Sequence, residues 1–450
     1  MTIRDSMLVC EQLGERYLWV DRYCIIQDDD DDRHSQINAM SEIFSAAKLV
    51  IVAASSSQGL SGVSRHRPKT TSRFFSGCRV DIQRCHLQDG IDSSLWNSRG
   101  WTYQEALLNR RKLFFTDAQI YFECGLRITH EENLSYPSFD PSLHNKDQYI
   151  GATTSLTYGD ISHGDERLDT SRKLSHTSDL LNAFTGILQA LYGKDGTYYG
   201  LPLPDFDRAL LWTPAWRSAY SPSPTPENKL DNPAFPSWSW ASAHAEIPSY
   251  ELATITGTLC IWFRPVQSNN LEPILPTGNS LKRINYLELK ENSHAAEAFL
   301  RGTIPDTSAL RDGTLITRAL VTRLRMKRSA STEERGGENK IIIENEQDVE
   351  VGKVLDGAGV VGLLAKGQEM FTFVAISVTV SERARYDGGI TDAAMIGSDG
   401  RQKITWDSVP VVNVLIVERE GKYLRRIGLA EVDTEARVEV EGVVETVLLV

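Results

Sequence analysis

The residue with the strongest chemical promise is Glu105. In the segment SRGWTYQEALLNRR it falls four residues after Trp101, close to one helical turn, so the indole and the carboxylate share a face. An aromatic wall beside a partly desolvated carboxylate can hold a sugar hydroxyl or stabilise developing positive charge. Arg99, Arg110 and Arg111 flank the same segment, and they support a plainer reading in which Glu105 is bridged to an arginine and Trp101 belongs to the core. Asp21 and the run Asp28 to Asp32 offer oxygens to a hard cation. That run lacks the Gly and the closing Glu of a calcium loop, and acids entering a helix already complement its dipole, so capping is expected here and no metal site. Cys78, Cys85, His86 and Cys124 have no CxxC pair among them, and the chain has no HExxH. Gly59-Leu60-Ser61-Gly62 is one residue short of a hydrolase elbow. The backbone N–H groups of Gly59 and Gly62 can approach a phosphate, although a two-glycine loop is more often a turn.

The elements that must position these residues follow from hydrophobic spacing. YLWV (17–20) and KLVIVAA (48–54) are short apolar runs that predict buried strands, and Ile37, Met40, Phe44 and Ala47 between them mark one face of a helix of about four turns. Strand, helix, strand is a βαβ unit, which implies a parallel sheet with ligands beyond the carboxyl ends of its strands. Those ends carry Asp21 to Asp28 and Ser55 to Gly62. A short helix over 98–108 leads into KLFFT and QIYFEC, two runs that predict a hairpin or a sheet edge. An α/β domain over 1–126 is therefore expected, followed by a polar connection over 127–177.

The remainder, 178–450, predicts a helix plus an α+β, strand-rich region. Leu180, Leu181, Phe184, Ile187, Leu188 and Leu191 form the apolar face of a helix that stops at Gly193. In FPSWSWAS the two Trp residues point to one face of a strand and read as structural. From Glu251 onward, strand-like runs alternate with polar turns.

Composition narrows the function classes. The chain has 450 residues, 41% hydrophobic and 24% charged, as for a globular protein. Its net charge of −12 repels nucleic acid and anionic membrane surfaces on average. Six unevenly spaced cysteines do not form a secreted disulfide framework. No apolar run is long enough to span a bilayer, and the N-terminus has no secretory signal pattern, so a cytoplasmic protein is expected.

Several blocks, in order, resemble the fungal heterokaryon-incompatibility (HET) domain: Leu18-Trp19-Val20-Asp21, Cys24-Ile25-Ile26-Gln27-Asp28, the helix with Met40, Ile43, Phe44 and Ala47, the strand VIVAA, Gly59-Leu60, and Arg99 to Glu105 followed by Leu108, Arg110 and Arg111. SDLLNAFTGIL, YYGLP, ALLW, FPSWSWAS and VLIVEREGKYLRRIGLAEV resemble stretches that follow the domain in large family members. The family's opening Ser-Tyr-x-Trp-Gly-like strand has no counterpart before Tyr17, so an incomplete domain is expected. The resemblance implies a role in nonself recognition after hyphal fusion, leading to growth arrest and programmed cell death. It further implies a distant similarity to Toll/interleukin-receptor domains, some of which cleave NAD with a helix Glu close to a Trp. On that arrangement NAD is a substrate and no cofactor is required. Glu105 holds the nicotinamide ribose, Trp101 walls the pocket, Asp21 and Gln27 help form the crevice, and the Gly59 to Gly62 loop approaches the pyrophosphate. A partner protein or self-association is expected. The competing readings are a non-enzymatic interaction module and an inactive fragment.

Overall fold

The structure is a computed structural model that describes residues 2–55, 72–75, 78–81, 87–92, 94–117, 119–124, 127–131, 174, 177–213, 234–242, 255–266, 270–275, 306–328, 341–386, 389–390, 405–433 and 442–450. They fall into two compact units, the first reaching Lys194 and the second running from Asp195 to Val450.

The first unit is built on a four-stranded sheet. Strands β1 (Val50–Ala53), β4 (Arg111–Phe115), β5 (Ile120–Cys124) and β6 (Arg127–His130) lie in that order, with β1 and β4 parallel and the other neighbours antiparallel. Strands β2 (Ser72–Phe75) and β3 (Cys78–Asp81) form a separate hairpin. The period-2 alternation of the strands gives the sheet two apolar faces. Val50, Val52, Phe114 and Tyr121 pack under helices α3 (Asp30–Ala46) and α5 (Thr102–Leu108) and under residues of α4 (Leu87–Asp92). Ile51, Ala53, Leu113, Phe115 and Ile120 pack with Val9 of α1 (Thr2–Gln12) on the other face.

Residues 17–20, expected as a strand, pair with nothing in the sheet. Tyr17 is 85% exposed, and Trp19 instead sets its ring edge-on to Phe44 of α3, with centroids 5.8 Å apart. A single helical turn, α2 (Asp21–Cys24), follows directly. The parallel neighbour of β1 is therefore β4, and the helical crossover lies between 53 and 111, one segment later than the sequence pattern placed it. KLFFT and QIYFEC form the β4–β5 hairpin.

Helix α6 (Leu180–Tyr192), which the sequence grouped with the strand-rich region, packs against α3 and α5 of the first unit. Gly186 permits this approach, since a Cβ there would lie 2.5 Å from Gln104 Oε1 and 2.6 Å from Ser41 Cβ. The buried Gln104 amide donates to Asn182 O at 2.8 Å, fastening α5 to α6.

The second unit opens with the two-residue pair β7 (Thr197–Tyr198) and β8 (Leu201–Pro202) and the short helix α7 (Phe206–Ala209). FPSWSWAS forms a turn and a 3-10 segment, Trp240–Ser242, rather than a strand. Both Trp residues are buried because each indole N–H reaches a carbonyl, Trp238 that of Gly313 at 3.0 Å and Trp240 that of Gly200 at 3.1 Å, bonds that a turn can aim and a ladder cannot. Strands β9 (Ile255–Thr258), β10 (Trp262–Val266), β11 (Asn270–Ile274), β12 (Leu315–Arg328), β13 (Ile341–Glu344), β14 (Glu350–Asp356), β15 (Met370–Tyr386), β16 (Gly389–Ile390), β17 (Thr405–Glu420), β18 (Tyr423–Asp433) and β19 (Gly442–Leu449) make one large sheet. Its pairings close on themselves through β12, β13, β14, β18, β17, β15 and back to β12. Inward residues from all six strands, among them Met326, Ile343, Val351, Phe373, Ile416 and Ala430, share one core with Val360 of helix α8 (Ala358–Ala365). Closure leaves these six strands paired on both sides along part of their length.

Candidate active site

The ordering of the Glu105 segment starts with Trp96. Its ring packs edge-on against Phe114 at 6.1 Å, which buries the indole over the middle of β4 and obliges its N–H to find an acceptor. That acceptor is Glu105: Nε1 lies 2.9 Å from Oε2. The turn bearing Trp96 is fastened to the start of α5, because the Thr102 hydroxyl lies 2.6 Å from Trp96 O and 2.7 Å from Arg99 O. Ser94 reinforces it, donating to Ile91 O at 2.7 Å and accepting from Asn97 N at 3.1 Å. Glu105 is thus a half-buried carboxylate with one oxygen fixed by an indole N–H, at the surface of the sheet face that α3 and α5 cover.

The far end of α5 is held by Asn109. Its amide donates to Phe44 O at 2.8 Å and to Ala47 O at 2.6 Å, meeting two carbonyls at the end of α3, while its Oδ1 accepts from Arg111 N at 2.8 Å. One side chain therefore registers α3, the end of α5 and the start of β4. Trp101 precedes α5, half-buried against the same core as Trp96. The indole that touches the Glu105 carboxylate is Trp96, nine residues before it across a turn, where no helical period could point to it.

Asp21 and Gln27 come together in a turn of their own. Gln27 Nε2 donates to Asp21 O at 3.2 Å and to Ile25 O at 3.1 Å, so its amide hydrogens are engaged by the backbone. Asp21 Oδ1 accepts from Arg22 N at 2.7 Å. The acidic run acts on the helix terminus: Asp29 Oδ1 accepts from Asp31 N at 3.0 Å and Asp32 N at 3.1 Å, and Asp32 Oδ2 takes Ile26 N at 2.9 Å. Among the described residues, no group of three or more His, Cys, Asp or Glu is placed to hold a metal ion. Gly59 and Gly62 lie outside the described residues, in the segment after the carboxyl end of β1.

Residues 1–105 match the family model described as Heterokaryon incompatibility protein (HET). The chain is a HET domain-containing protein. The match ends at Glu105 itself, so the HET segment supplies α1 to α4, β1 to β3 and the first turn of α5, while the rest of α5, the β4–β5–β6 ribbon and α6 follow it in sequence. No curated protein and no solved structure matches the chain. The HET domain points to a function related to heterokaryon incompatibility. No helix among the described residues is long and apolar enough to cross a membrane.

Proposed function

We propose that the chain is an effector of heterokaryon incompatibility, triggering cell death on nonself recognition, and that its first unit, a Toll/interleukin-receptor-like α/β layer, binds and cleaves NAD at Glu105. The observation that carries this reading is the Trp96–Glu105 hydrogen bond. It fixes one carboxylate oxygen and leaves Glu105 only half-buried, beside aromatic rings and a parallel strand pair. A carboxylate held this way can hold the hydroxyls of the nicotinamide ribose and offset the positive charge that develops on the sugar as the bond from C1′ to the pyridinium nitrogen breaks. Nicotinamide leaves neutral with the bonding electron pair, water supplies the new oxygen at C1′, and one proton is released with ADP-ribose. Glu105 needs no change of protonation in this scheme.

The test is nicotinamide release from NAD by the purified full chain, compared with Glu105→Gln at matched folded concentration. Loss of at least about 100-fold in turnover is expected for the removal of an electrostatic contribution of this kind. Unchanged release by Glu105→Gln removes Glu105 from the chemistry.

A second reading, a protein-interaction module, is favoured by a different observation. Met7, Leu13, Tyr17, Tyr23 and Ile26 stand 60%, 51%, 85%, 72% and 56% exposed within the first 26 residues, a concentration of apolar side chains suited to a partner surface or to self-association. Tyr17→Ser with Tyr23→Ser would abolish the activity in cells under this reading and leave NAD turnover untouched. Equal cellular activity of that double variant overturns it.

A further inference from the structure

The hairpin joining β4 to β5 carries a buried polar atom with no partner among the described residues. Thr116 and Gln119 face each other across the turn, both almost fully buried, with Thr116 Oγ1 2.7 Å from Gln119 O and accepting from Gln119 N at 3.1 Å. The Gln119 amide nitrogen donates to the Tyr121 hydroxyl at 2.9 Å. Its carboxamide oxygen, Oε1, is buried and has no hydrogen-bond partner among the described residues. A buried acceptor left unmade is destabilising, and a donor brought by a ligand would relieve that cost.

Its place on the sheet indicates which role. Phe114 and Tyr121 are cross-strand partners on the face that carries the Trp96 ring, and Thr116 and Gln119 lie two residues further along the same face, toward the carboxyl end of β4. Ligands of sheets with parallel strands bind beyond that end. The orphan oxygen thus shares a sheet face with the indole that holds Glu105, and the next pair along that face is aromatic, Phe114 opposite Tyr121. An acceptor beside aromatic faces suits a flat heteroaromatic ring bearing an N–H donor. Above Thr116 sits α4, whose Gly90 brings backbone close enough that a Cβ would lie 3.3 Å from Thr116 Cγ2.

We propose that Gln119 is a ligand-recognition residue of the Glu105 site, its carboxamide oxygen accepting from the amide N–H of a heteroaromatic carboxamide that enters by displacing α4. The proposal rests on the NAD reading for the site's location and names the part of the ligand that Gln119 reads.

The experiment is a thermal-shift titration of the full chain with nicotinamide and, separately, nicotinic acid, which has the same ring and no N–H donor. Nicotinamide raises the melting temperature of wild type dose-dependently and nicotinic acid does not. Equal shifts, or none, overturn the proposal, and a structural water bonded to Gln119 would give neither response. This arm needs no substitution. In a second arm, Gln119→Leu melts no lower than wild type without ligand and loses the nicotinamide shift. In a third, NAD turnover separates the two ideas: cleavage by Gln119→Leu with wild-type KM sinks the Gln119 role and leaves the Glu105 chemistry standing. Nicotinamide binding with no cleavage by wild type does the reverse.

Discussion

Lys112 and Glu123 face each other across β4 and β5, each nearly fully buried, with Nζ 3.7 Å from Oε2. They occupy the apolar face formed by Val50, Phe114 and Tyr121, where a lone charge would be untenable. Burial pulls the Lys112 ammonium below its ordinary range, and the Glu123 carboxylate pulls it back. Breaking such a pair is worse than removing it. Lys112→Met alone is expected to lower the stability of the first unit by about 3 to 5 kcal/mol, and Lys112→Met with Glu123→Leu to recover most of that loss. Urea unfolding of the three proteins measures it; a double variant as weak as the single one contradicts the account.

The Trp96–Glu105 bond has a stability consequence that does not depend on catalysis. Glu105→Ala strands a buried indole N–H and should lower stability by about 1 to 3 kcal/mol, whereas Glu105→Gln keeps an acceptor oxygen and should cost under about 1 kcal/mol. Tryptophan fluorescence during denaturation reports the difference, and equal losses for the two variants would show that Trp96 does not depend on this oxygen.

Asn109 satisfies two carbonyls at the end of α3 and the first amide of β4. Asn109→Ala should cost about 1 to 3 kcal/mol, with accelerated amide exchange in the last turn of α3. Exchange unchanged over residues 43–47 would rule out the clamp.

How far the sequence revealed this architecture varied with the range of the interaction. Helix α3, the strand VIVA and the β4–β5 hairpin were legible because period and turn chemistry are local. The run 17–20 misled because apolar content alone cannot tell a strand from an extended segment whose Trp19 packs on a helix. Helix α6 carried a clear period, but nothing in its own residues showed that Gly186 would admit Gln104. At the site, Glu105 was visible as a carboxylate one turn after Trp101. Its actual partner, Trp96, and the clamp Asn109 act through non-periodic contacts. Gln119 gave no signal, since an orphan oxygen exists only once its surroundings are built.

Asp207 of α7 is buried, and its carboxylate Oδ2 accepts from the Thr258 hydroxyl at 2.8 Å. Burial pushes its pKa up to about 6 from 3.8, the Thr258 bond opposing. The folded state therefore holds the proton more tightly than the unfolded one, so this group's contribution to stability is full below about pH 4 and is lost as pH rises through 6. Asp207→Asn should gain about 1 to 3 kcal/mol over wild type at pH 8 and little at pH 4. Unfolding free energies at the two pH values test the sign. A variant equally shifted at both would mean that Asp207 does not titrate in this window.

Two glycines of the second unit should respond oppositely to alanine. At Gly352 of β14 a Cβ would lie 2.3 Å from Glu431 O of the neighbouring β18, so Gly352→Ala should cost about 1 to 3 kcal/mol. Gly362 of α8 is exposed with nothing within 4 Å, and Gly362→Ala should add about 0.5 to 1 kcal/mol. Melting temperatures that move in the same direction would contradict this pairing.

The closed ring of β12, β13, β14, β18, β17 and β15 also sets an order of events during synthesis. Strand β12 has emerged by residue 328, yet the strand that completes the circuit, β18, ends only at Asp433, and β19 joins β12 and β18 later still. Until then a nascent chain carries long, apolar, half-paired strands whose partners have not been made, the condition under which neighbouring chains on a polysome are most prone to pair with each other. Pairings of such large sequence separation also form slowly once the chain is free. Closure of this ring is thus a late event, possible only once β18 has been made.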